Sequence, residues 1–111
     1  MTESDLGWIA VRTVIGTPWE EGQRCYEERI TLWRSHSYAD AFRRAAADAA
    51  SYVAQWDPPA EVLSLQQGFQ LFDAPGDGTE VFSLIRDSDM QPEDYLDRHF
   101  DTGKERQGTL K

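Results

Sequence analysis

Cysteine is almost missing from this chain. Cys25 is the single one among 111 residues, so no intramolecular disulfide can form, and the sequence suits a reducing compartment. Histidine is nearly as scarce, with only His36 and His99. No spacing of His, Cys, Asp and Glu resembles a zinc site, and no metal or other cofactor is expected. Long apolar runs are lacking too: nothing approaches the ~20 consecutive apolar residues that cross a bilayer. The stretch Met1 to Gly7 is polar and acidic, unlike a signal peptide. These features lead to a cytoplasmic protein that does not engage a membrane. Basic residues are outnumbered, 11 against 20 acidic, for a formal net charge of −9. Affinity for nucleic acid rests on cations displacing counterions from phosphates, so direct nucleic-acid binding is not expected. Such a charge serves solubility first, and it also suits a basic protein partner.

A chain of this length forms one domain that can fold without disulfides or metal. The expected ordered core runs from about 7 to 103, with 104–111 as a frayed tail poor in apolar side chains. Trp8 to Ile15 is β-branched and apolar and stops at Gly16, Thr17 and Pro18, which predicts a first strand. After a loop carrying Trp19, Cys25 to Arg34 alternates as a second strand. Its period of two places Glu27 and Arg29 on one face and Glu28 on the other. Ser37 followed by Asp40 has nearly the spacing of a capping box. From there Tyr38, Phe42, Ala45, Ala49 and Trp56 recur at helical intervals, predicting a helix over 38–55 ended by Asp57-Pro58-Pro59. Asp40, Arg44 and Asp48 are expected on its solvent side.

Leu63, Leu65, Phe69 and Leu71 predict a third strand, with Gly68 marking a bulge or a close backbone approach. The turn residues Ala74 to Gly78 lead into Thr79 to Arg86 as a fourth strand. Pro92, Glu93 and Asp94 then open a short helix that Gly103 would cap. The expected fold is therefore α+β: element order β-β-α-β-β-α, a four-stranded, mainly antiparallel sheet in the order 2-1-3-4, one long helix packed on one face and a short C-terminal helix.

Chemistry needs a reactive group, a tuning neighbour and room for substrate. Cys25 has only Arg24 beside it as positive charge, so it reads as a half-buried small residue and not as a nucleophile. Glu27 and Glu28 point to opposite faces and cannot act jointly as acid and base. Gly76-Asp77-Gly78 lacks the alternating oxygen ligands of a calcium loop. No catalytic residue is therefore assigned. Strands one and four carry apolar side chains on both faces, whereas one long helix shields only one face; the surplus points to self-association or a protein partner.

The run Trp8-Ile9-Ala10-Val11, the run Tyr26-Glu27-Glu28-Arg29-Ile30, the helix start Tyr38-Ala39-Asp40-Ala41-Phe42-Arg43-Arg44-Ala45 and the run Gly78-Thr79-Glu80-Val81-Phe82-Ser83 form a series. It resembles a family of short bacterial proteins catalogued as a domain of unknown function, over about Trp8 to Arg86. The resemblance implies the α+β fold and brings no activity, cofactor or site residues. The expectation is a non-enzymatic protein-interaction module of the immunity or accessory type, acting as a homodimer or on one protein partner. The alternative is a ligand-binding or enzymatic domain with a pocket between the second strand and the C-terminal helix, where Tyr26, Glu28, Arg29, Tyr95 and His99 would converge.

Overall fold

The computed structural model describes residues 7–17 and 25–101. The Met1–Leu6 segment, the Trp19 loop, Gly103 and the 104–111 tail lie outside them. Five elements follow in order: β1 (Gly7–Gly16), β2 (Tyr26–Ser35), α1 (Tyr38–Ala54), β3 (Glu61–Gln70) and α2 (Pro92–His99). The sheet has three strands in the order β2-β1-β3, and both pairings of β1 are antiparallel.

The central place of β1 explains its doubly apolar sequence, since a strand with neighbours on both edges and cover on both faces reads as a continuous hydrophobic run. On the helix side Ile9 and Val11 pack with Ala41 and Ala45, and Ile15 packs with Val53 and Ala60. On the other side Ala10 is fully buried. The helix meets the sheet through Ala41, Ala45, Ala49 and Val53, all buried and four residues apart. Small side chains at this spacing bring the helix axis close to the strands. Ala45 and Ala49 are buried as expected, and the stripe differs at its start, where Ala41 is buried while Tyr38 is exposed and Phe42 half-buried.

Those two rings account for Gly68. A Cβ placed there would stand 2.9 Å from Cδ1 of Tyr38 and 3.0 Å from Cε1 of Phe42. The glycine expected to mark a close approach does so. The third strand differs from expectation in register, because Thr13 pairs with Gln66 while Ile15 pairs with Val62. The extra β3 residues bulge out, and Leu65, expected to alternate inward, is 77% exposed.

The main correction concerns the second half. The four-stranded sheet and the β-β-α-β-β-α order do not form: Thr79 to Arg86 forms no regular element and joins no ladder. Two physical reasons are visible. The connection after β3 is long, closed at its far end by Thr79 N–H donating to Gly76 O (3.1 Å) with Gly78 at φ +81°, and only a short hairpin loop fixes strand register. Phe82 then lies over the face of the sheet instead of beside its edge. Its ring centroid is 6.0 Å from that of Phe69, with the Arg12 guanidinium 5.1 Å from it. Beyond Phe82 the chain leaves the sheet, and α2 approaches none of the other four elements and buries no residue. The radius of gyration is 16.7 Å, against about 13 Å for a compact domain of this size.

Candidate functional site

Four polar groupings deserve a chemical reading: one under α1, one at the start of α1, one on the opposite face of the sheet and one on the C-terminal arm, residues 72–101. Under α1, β2 turns Glu27 and Arg29 toward the helix while α1 supplies Asp48 and Tyr52, one helical turn apart. Arg29 Nη1 donates to Asp48 Oδ2 at 2.7 Å, and its guanidinium stacks 4.2 Å from the Tyr52 ring centroid. The Tyr52 hydroxyl donates to the Glu27 carboxylate at 3.0 and 3.2 Å. That bond, with some burial and the negative charge itself, pushes the phenol pKa above its ordinary value. Tyr52 is thus held protonated, a donor and not a base. Asp48, expected on the solvent side, instead faces Arg29.

At the start of α1, Ser37 caps the helix by accepting the Asp40 N–H at 3.0 Å, as the sequence spacing implied. The Asp40 carboxylate takes the Ser35 hydroxyl at 2.7 Å, with Arg43 and Arg44 beside it. The serine hydrogen bond, then the arginines, hold its pKa below the usual 3.8 despite partial desolvation. A depressed carboxylate contributes stability above its unfolded pKa and loses it as pH falls through the folded one. Asp40→Asn should therefore melt below the parent protein at neutral pH, and the gap should close in titrations taken below the carboxylate range. A gap independent of pH would mean that the charge does not matter.

On the opposite face, Arg12 pairs with Glu28 at 3.5 Å and donates to the Gln67 side chain. Tyr26 and Ile30 share this face and are 57% and 43% exposed. On the arm, the Tyr95 and His99 rings lie 4.7 Å apart, and Arg86 donates to the Tyr95 hydroxyl at 3.1 Å. Desolvation, then the charges of Arg86 and Arg98, lowers the His99 pKa.

The structure therefore brings together some of the expected site residues and separates others. Tyr26 and Glu28 share one face, Arg29 lies on the other, and Tyr95 and His99 are together on α2. Because α2 does not approach β2, the pocket expected between them is not formed among the described residues. The cause is the missing fourth strand, which would have returned the chain to the sheet. Cys25 is exposed, not half-buried. Among the described residues no three His, Cys, Asp or Glu side chains gather as a metal site, and no helix is long and apolar enough to cross a membrane.

Sequence reasoning missed two contacts with Tyr52 and Phe82. Tyr52 could have been found, since it and Asp48 are four apart on the helix opposite the alternating Glu27 and Arg29. Nothing periodic points to Phe82. No protein family, curated protein or solved structure matches the chain.

Proposed function

We propose that this chain is a non-enzymatic protein-interaction module of the immunity or accessory type, cytoplasmic and acting as a homodimer. Membership of the bacterial family that the strand motifs resemble is part of the same proposal. The observation that carries it is the apolar surface left open on the sheet face and on the C-terminal segment. Tyr26 and Ile30 are exposed on the sheet face opposite α1, and the arm exposes Phe72 at 87%, Ile85 at 88% and Phe100 at 64%. Monomers rarely leave this many large apolar side chains bare, and a two-fold dimer is the commonest way to cover them. The charged clusters offer no competing chemistry, since each cation in them already faces a carboxylate or a ring.

Replacing Ile30 by glutamate should test this reading. The side chain is on the open face and partly exposed, so the folded monomer should tolerate the change. Self-association measured by light scattering on a sizing column should weaken about tenfold or more, as for a central contact residue. Unchanged association would take the interface off this face.

A further inference from the structure

We propose that the open half of the sheet face, along β2, is covered by the C-terminal arm of a second copy, so that two copies exchange arms. The inference rests on the homodimer reading and names its geometry. Within one copy the arm enters over β3, and Phe82 settles on Phe69 and Arg12. Phe82 thus shields Phe69 and Arg12, while Leu65 on β3 and, along β2, Tyr26 and Ile30 are exposed. The same arm then carries Ile85, Leu96 and Phe100, all exposed, and its helix α2 approaches none of the other four elements. Among the described residues, each copy thus has one arm without a receiving surface and one stretch of sheet face without a cover.

Charge fits the same pairing. Between Phe72 and Asp101 the chain holds nine carboxylates and two arginines, while the whole protein carries −9. The described sheet and helix are close to neutral, with Arg12, Arg29, Arg34, Arg43 and Arg44 against Glu27, Glu28, Asp40, Asp48, Asp57 and Glu61. On the β1–β2 half of the open face, register places Arg12 and Arg34 with only Glu28. A strongly acidic arm therefore meets a face of slight positive charge. Area is sufficient as well. The exposed apolar side chains of one arm present on the order of 600 Å², on the scale where one aromatic side chain offers ~150–250 Å². Two reciprocal arm-to-face contacts then reach the ~1,200–2,000 Å² that a specific interface buries.

Two single-thiol chains test the exchange, both with Cys25→Ser so that the native thiol is silent. One carries Ile30→Cys on the face and the other Leu96→Cys on the arm; both positions are partly exposed. The chains are mixed, equilibrated and treated with a short bismaleimide, with an affinity tag on one to separate the products by mass. Arm exchange predicts a face-to-arm product joining the two different chains. It also predicts that Ile85→Asp in the otherwise native chain weakens self-association about tenfold while circular dichroism and the melting midpoint stay unchanged. A dimer that yields only face-to-face product and ignores Ile85→Asp would overturn arm exchange and leave the homodimer standing. A chain that stays monomeric in the same mixtures would remove both readings, leaving the arm and face to a heterologous partner.

Discussion

Ala45→Asp should destabilise the protein by several kcal/mol. Ala45 is 1% exposed and lies in the layer where α1 touches β1, against Ile9, Val11 and Ala41. An aspartate there finds no cation. Arg29 is engaged with Asp48 further along the helix, and Arg43 and Arg44 flank Asp40 on the outer side. Burying an unpaired polar or charged group costs several kcal/mol, and the larger side chain also pushes α1 away from the sheet. A loss of about 4 kcal/mol is a large fraction of a total of about 5–15 kcal/mol. Ala45→Gly is the control, because it removes a methyl group and adds backbone freedom for only about 1 kcal/mol. Urea melts of the two variants should differ widely; similar midpoints would mean that the helix does not pack through its alanine stripe.

Gly68→Val is the second large effect. The added Cβ alone meets Tyr38 and Phe42 at 2.9 and 3.0 Å, closer than carbon atoms pack, and two methyl groups follow it. Both rings must swing outward or the helix must shift, and overpacking of this kind costs about 1–3 kcal/mol. Valine is otherwise a better strand residue than glycine, so propensity alone would predict stabilisation. The two effects have opposite signs, and a thermal melt separates them directly. A raised midpoint would show that the rings move aside at no cost.

Much of the first seventy residues was legible because each element there carries a local signal and a partner that agrees with it. Ser37 and Asp40 announce the helix start, the alanines announce close packing, and alternation in β2 sorts Glu27 and Arg29 from Glu28. Gly68 declared a close approach before its neighbours were known. The limits appear where two good signals compete. Thr79 to Arg86 has the composition of a strand, and the turn before it has the composition of a hairpin. Burial of a single ring, Phe82, on Phe69 and Arg12 draws the segment across the face instead. Ring burial on a face has no period and cannot be read from spacing. The pocket expected among Tyr26, Glu28, Arg29, Tyr95 and His99 depended on that fourth strand, so it was lost with it. Leu65 was misplaced for a different reason: two extra β3 residues lie between the rungs at Gln66 and Val62, so the alternation of faces is kept but Leu65 falls in the bulge, off the ladder.

The open surface is the feature on which the functional account depends, and sedimentation equilibrium of the unmodified protein tests it most directly. Samples spanning low to high micromolar concentration at low and high salt should move from the monomer mass of 12.7 kDa toward twice that value. Two copies of charge −9 repel each other over a Debye length of about 8–10 Å near physiological ionic strength, so added salt should tighten the dimer. A mass fixed at 12.7 kDa at every concentration and at both salt levels would contradict self-association.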